Sequence, residues 1–175
     1  AAARAPVLAF TDSDVLPGAG WLAAGLRRLA SDERAAAVEG RTFVRACDRI
    51  TPFTHQTETE GGRYATCNLF VRRAAFETVG GFDPAFGGPH FFREDSDLAF
   101  RLLDAGWEIP FEELAAVDHP PHAGRLATPL RLARRYRYDP LLRLKHPRRF
   151  ARDLDVHTIL GARIARPRQR VYTAN

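Results

Sequence analysis

Residues 7–14 read Val-Leu-Ala-Phe-Thr-Asp-Ser-Asp, an apolar run that stops on two aspartates one residue apart. Val7–Thr11 shows no polar alternation, which predicts a short, buried strand of the parallel type. An aspartate turn at the carboxyl end of such a strand lies where open α/β sheets bind ligands. One carboxylate there can hold a hard divalent cation and leave the other for a ligand hydroxyl. The bland alternative is an Asx-type turn, because aspartate readily bonds its own backbone. Taken alone, Asp12 and Asp14 favour that alternative. An EF-hand is excluded, since the glycine falls at Gly18 and the later ligand positions are absent.

Outward from this stretch, Pro17 and Gly18 turn the chain. Trp21–Leu29 then carries Leu22, Leu26 and Leu29 at helical spacing. Ala36–Ala46 predicts a strand or a strand pair. Cys47–Arg63 turns polar and closes on Gly61-Gly62, a loop of a length that is usually functional or disordered. Thr66–Val71 predicts another strand, followed by a helix over Arg73–Val79 and a glycine- and proline-rich connection, GGFDPAFGGP, at 80–89. A helix beginning at Glu94 ends at Gly106, and Leu114–Val117 is again strand-like. Thr128 before Pro129 predicts the start of a basic helix that Pro140 stops. Strands alternating with helices predict an α/β layer fold. No internal repeat and no separate second domain is visible.

The 175 residues are 45% hydrophobic, enough for one globular core. No apolar run approaches the ~20 residues that span a bilayer, and nothing resembles a signal peptide. Cys47 and Cys67 have no metal-ligand spacing, so a reduced, cytosolic setting is expected. There is no methionine, and the chain is expected to be the C-terminal part of a longer protein. The net charge of +5 is unevenly spread, with acids in the middle and arginines dense after Arg125. Arg131, Arg134, Arg135, Arg137, Arg143 and Lys145 interleave with leucines and tyrosines. Most such runs are solvated faces, and the functional readings are an anionic membrane surface or a phosphate-bearing substrate. No nucleic-acid module accompanies the patch, so no nucleic-acid partner is expected.

The acids concentrate at the mouth of the helix that starts at Glu94. At helical spacing Asp95 shares an inward stripe with Leu98, Ala99, Leu102 and Gly106, while Glu94, Asp97, Arg101 and Asp104 share a polar one. Asp97 and Arg101 can pair at i, i+4. The helix dipole accounts well for Glu94 and Asp97. It accounts less well for Asp95, which would be partly desolvated and is a candidate general base. His119 and His122 could each complete a metal site or close a proline-rich turn.

Taken in order, VLAFTDSDVLPGAGWL, CNLFVRRAAFETVGGFDPAF and EDSDLAFRLLDAGWEI resemble the inverting family 2 glycosyltransferases of the GT-A fold, over Pro6 to His122. D-x-D alone is common; the ordered set with N-x-x-x-R-R, G-G-F-D and E-D-x-D-L-x-x-R is more specific, and capping does not explain it. The resemblance implies an incomplete GT-A, Rossmann-like mixed sheet flanked by helices over residues 1–124, with a basic helical tail over 125–175. It implies metal-dependent, inverting transfer of a sugar, of the hexosyl type, from a nucleotide-diphosphate donor. The acceptor would be a sugar, lipid-linked or other hydroxyl, in cell-envelope or extracellular polysaccharide or glycolipid synthesis.

In that family Asp14 would bind Mg²⁺ or Mn²⁺ on the donor diphosphate, with Asp12 near the ribose or the same metal. Asp95 would be the catalytic base, Glu94 would orient the acceptor and Asn68 would sit near the sugar. His119 is the first choice for a further metal contact and His122 the second. The Q-x-x-R-W signature of processive synthases is missing. So is the family's first half, which grips the nucleotide base, and the isolated chain is therefore expected to bind nucleotide poorly and to be nearly inactive. The setting implied is cytoplasmic, with a peripheral contact at the inner face of the cell membrane. Two other readings compete. One is a non-catalytic fragment or binding module acting through the tail. The other is a glycoside hydrolase, which gives no reason for a metal-type D-x-D.

Overall fold

The computed structural model of the protein describes residues 3–45, 57–58, 61–62, 64–87, 91–120, 134–154, 157–159 and 162–164. Strands β1 (Val7–Thr11), β2 (Leu16–Pro17), β3 (Ala37–Phe43), β4 (Asn68–Arg72) and β5 (Phe111–Asp118) form one mixed sheet in the order β1-β4-β3-β5-β2. Helices α1 (Trp21–Ala30), α2 (Arg73–Thr78) and α3 (Glu94–Asp104) accompany it. Further on come a 3₁₀ turn at Arg134–Tyr138, α4 (Asp139–Lys145), the short α5 (Pro147–Arg149) and a π-helical turn at Phe150–Leu154. A separate hairpin pairs β6 (His157–Ile159) with β7 (Ala162–Ile164). The arrangement is α/β with a mixed sheet, compatible with a Rossmann-like fold.

β4 runs antiparallel to both β1 and β3, and β3 runs parallel to β5. It follows that β1, β3 and β5 point the same way and end at one edge of the sheet. The expectation of a buried parallel strand at Val7–Thr11 is corrected in its pairing. β4 lies between β1 and β3, so β1 is an antiparallel edge strand with half-exposed residues. Its apolar character is used by Phe10, whose ring packs on Phe76 and Phe82 at 6.0 and 5.4 Å between centroids. Ala36–Ala46 yields one strand, β3, paired on both sides and buried from Ala37 to Gly40.

Side chains alternate across β3 and β4, as strand geometry requires. Phe70 and Val38 face Ala24 and Leu29 of α1, whereas Leu69, Val71 and Ala37 face Ala75 of α2 and Leu98 and Leu102 of α3. Helices therefore cover both faces. On α1 the buried residues are Ala24, Gly25 and Leu29. A Cβ on Gly25 would lie 2.4 Å from the Phe70 ring, so glycine lets the helix seat on the sheet. Leu22 and Leu26, the residues that carry the helical spacing in the sequence, point outward at 50% and 38% exposure.

One expectation for the later chain is also corrected. Pro140 lies in the first turn of α4 and starts that helix instead of stopping one, because proline's fixed φ and missing N–H suit a first turn. The expected start at Thr128-Pro129 lies outside the described residues. On the polar stripe of α3, Asp104 is exposed but Asp97 is fully buried. It is covered by residues 138–150, whose Tyr138, Leu142 and Phe150 form one apolar cluster with Phe86 and Phe100.

Candidate functional site

Asp12 follows β1, His119 follows β5, and both therefore lie at the carboxyl edge. What closes the gap between them is β2. Leu16 pairs with Asp118 and Pro17 with Val117, so the chain leaving the aspartate turn runs back along the end of β5. The Gly18 N–H donates to the Ala116 carbonyl at 2.9 Å, and the His119 N–H donates to the Phe43 carbonyl at 2.7 Å. Ligand atoms of Asp12, Asp14 and His119 consequently lie within 4.8 Å of one another. Both aspartates are exposed and the histidine is buried. Sequence reasoning missed β2, since two residues are too few to show any period; the apolar pair Val15-Leu16 ahead of Pro17 was its faint signal. His122 lies outside the described residues.

Two carboxylates and one imidazole are a donor set that Mg²⁺ accepts and that suits Mn²⁺ somewhat better, because one donor is nitrogen. His119 Nδ1 lies 3.4 Å from the Pro120 carbonyl oxygen. A carbonyl only accepts, so in the tautomer that uses this bond Nδ1 carries the proton and Nε2 keeps the lone pair for a ligand.

Beside the turn is a cavity of about 400 Å³ to which Asp12 and Glu94 both contribute, with Phe10, Phe82 and Phe91 as apolar wall. Asp95 follows Glu94 and is half-buried. Its Oδ1 accepts the Ser96 N–H at 2.6 Å and stands 3.3 Å from the Ser96 hydroxyl. Burial pushes the Asp95 carboxyl above its ordinary range; the bonds from Ser96 and the charge of Arg93 oppose this without cancelling it. Burial also raises Asp12, helped by the charge of Asp14 and opposed by His119. The Cys67 thiol is pushed up to about 12, chiefly by burial, and Asp12, Asp95 and Glu39 each add to the shift. At the mouth of α3, Glu94 lines the cavity and Asp95 does not.

Asn68 is used by the sheet. Between Gly40 and Thr42 the pairing of β3 with β5 slips. The Asn68 amide nitrogen fills that slip, donating to the Arg41 and Ala115 carbonyls at 2.8 Å each. Its Oδ1 accepts the Trp21 indole N–H at 2.8 Å. Gly40 is required here, since a Cβ would lie 2.4 Å from the Asn68 amide. Asn68 does not line the cavity.

Three side chains that support the site were not singled out from the sequence. Buried Glu39 accepts the Gly62 and Tyr64 N–H groups at 2.6 and 2.8 Å, which pins the returning end of the polar loop to β3. Buried Asp118 accepts the Arg45 N–H at 3.0 Å. Arg93 takes a positive φ of 73° immediately before Glu94. A carboxylate inside the otherwise apolar run 36–40 was a readable clue to the first. The other two depend on contacts remote in sequence.

No family model matches the chain. The chain is similar to glycosyltransferases, which supports a relationship to that class. Among its relatives are two pre-mycofactocin glycosyltransferases of Mycobacterium tuberculosis, from strains CDC 1551 / Oshkosh and ATCC 25618 / H37Rv. Each is 30% identical over 138 residues, covering 68% of this chain. The chain spans only 28% of the length of these curated relatives.

Proposed function

We propose that the protein is a metal-dependent, inverting glycosyltransferase of family 2 and GT-A type. It would move a hexosyl group from a nucleotide-diphosphate sugar to an acceptor hydroxyl. The observation that carries this reading is the meeting of Asp12, Asp14 and His119 at the carboxyl edge of the sheet, beside a cavity shared by Asp12 and Glu94. Asp12, Asp14 and His119 would hold Mg²⁺ or Mn²⁺, which when bound offsets the charge of a diphosphate leaving group. Asp95 takes the proton from the acceptor hydroxyl, a task for which a carboxylate raised by burial is a better base than an ordinary one. Attack from the side opposite the leaving group inverts the anomeric centre, and Glu94 orients the acceptor for it. Asn68 serves the site by holding β4 to its neighbours.

The acceptor class follows from the wall. Phe10, Phe82 and Phe91 favour an acceptor with an apolar part, such as a lipid-linked sugar of envelope polysaccharide or glycolipid synthesis. A compound of the pre-mycofactocin kind, for which the relatives are named, would also suit it. Among the described residues no helix is long and apolar enough to cross a membrane. We propose a peripheral contact instead. Residues 125–175 hold 14 of the 26 lysines and arginines but 3 of the 21 acids. Pro140, Arg143 and Leu144 of α4 and Pro147 and Arg148 of α5 are exposed, with Leu144 80% exposed. Basic side chains around an exposed leucine suit an anionic membrane surface at its inner face.

The decisive test is Asp95→Asn in the full-length protein. Transfer should fall about 10³-fold with donor affinity unchanged, in the range seen on removing a general base. The base must be ionised, so kcat/KM in the wild type should decline as pH falls through a value above the ordinary aspartate range. That limb should vanish in the variant. Undiminished turnover by Asp95→Asn, or full activity after chelation of divalent cations, would end the assignment.

A further inference from the structure

The left-handed conformation of Arg93, φ 73° and ψ 0°, costs a residue with a Cβ about 1–2 kcal/mol and persists only where its surroundings enforce it. Its carbonyl accepts the Asp97 N–H at 2.9 Å, which opens α3. What enforces it comes from the tail. The Arg93 guanidinium donates to both oxygens of Asp139, at 2.7 and 3.3 Å, and lies over the Phe92 ring at 4.6 Å and the Tyr136 ring at 6.0 Å. One turn further, buried Asp97 meets His146 Nε2 at 2.9 Å and Lys145 Nζ at 3.1 Å, besides Arg101 of its own helix. Lys145 also pairs with Asp83, and the Tyr138 hydroxyl donates to the Gly87 carbonyl at 2.9 Å. Asp83 and Gly87 both line the cavity.

We propose that residues 138–146 are a positioning strap for the acidic mouth of α3. Asp139, acting through Arg93, and His146, acting through Asp97, fix Glu94 and Asp95 relative to the cavity wall. A tail that only added stability would have no reason to hold a strained residue directly before those two carboxylates. The proposal rests on the transferase reading for what Asp95 does, but not for the hold itself.

The test compares Asp139→Ala and Asp139→Glu with wild type in the full-length protein, by transfer kinetics and by amide hydrogen exchange. In Asp139→Ala, kcat should drop at least about tenfold, a displacement of ~1 Å being able to cost a hundredfold. Donor KM should change less than twofold, and Asp139→Glu should recover most of the loss. Amides of residues 95–97 should exchange at least tenfold faster while those of Val38 and Glu39 stay as they were. Wild-type kcat together with wild-type exchange in Asp139→Ala overturns the strap. If the wild type transfers no sugar, the transferase reading fails and exchange decides alone: faster exchange confined to 95–97 sustains the strap, and unchanged exchange sinks it. If Asp139→Ala does not fold, Arg93→Gly takes the left-handed conformation without strain but lacks the guanidinium. It should show the same kcat loss, and wild-type kcat from it overturns the proposal.

Discussion

A single amide at Asn68 answers two carbonyls that the slipped pairing of β3 and β5 leaves without ladder partners, and it ties in the Trp21 indole as well. Buried carbonyls without donors cost about 1–3 kcal/mol each. Asn68→Ala should therefore lower the unfolding free energy by about 3 kcal/mol in chemical denaturation; a loss under about 1 kcal/mol would show that the slip relaxes without the amide. This residue also marks what was legible in the sequence. Asp12, Asp14 and His119 each follow a recognisable strand, but it is the family resemblance, more than their spacing, that singles them out. Asn68 stands out only as part of a motif, and its work in the sheet depends on Gly40, Arg41 and Ala115, which no local pattern links to it.

Helix α3 and the strap that covers it are one unit energetically. Burial acts to raise the Asp97 carboxyl, but hydrogen bonds from His146, Arg101 and Lys145 outweigh it and hold the group below the usual range. A carboxyl lowered by folding gives stability that is present above its unfolded pKa and lost as pH falls through the folded one. Lys145 is opposed by burial yet raised by Asp83 and Asp97, so its share is lost only above the ordinary lysine range. Asp97→Ala should cost about 3–5 kcal/mol at neutral pH, as expected when one partner of a buried pair is removed. The gap in melting temperature between wild type and variant should narrow on acidification below the ordinary aspartate range; a gap independent of pH would contradict the ion-pair account. The sequence shows the i, i+4 pair Asp97–Arg101 and says nothing of what covers it. The cover comes from residues more than forty positions away, and periodicity carries no information about such distances. Pro140 illustrates the same limit, since a proline both ends helices and begins them.

Charge divides the chain: residues 1–124 hold 18 of the 21 acids, against the cations gathered in 125–175. With Arg143 and Arg148 both exposed, the full-length protein should sediment with phosphatidylglycerol-containing vesicles and not with neutral ones. Binding should fade as salt approaches 0.5 M, where charges are screened within a few ångströms. At about 1 kcal/mol per basic residue near the surface, reversing both in Arg143→Glu/Arg148→Glu should weaken binding at least tenfold. Equal binding by the variant would remove these two arginines from consideration.

At the opposite end of the sheet order, β1 has a strand partner on one side only, β4, among the described residues. Its outer row of amides and carbonyls is therefore a template onto which another extended backbone can be zipped. Because the aspartate turn sits at the tip of that same strand, whatever docks there lies alongside Asp12 and Asp14. The border that could accept an additional strand to enlarge the pocket is also the one most exposed to unwanted chain-to-chain stacking.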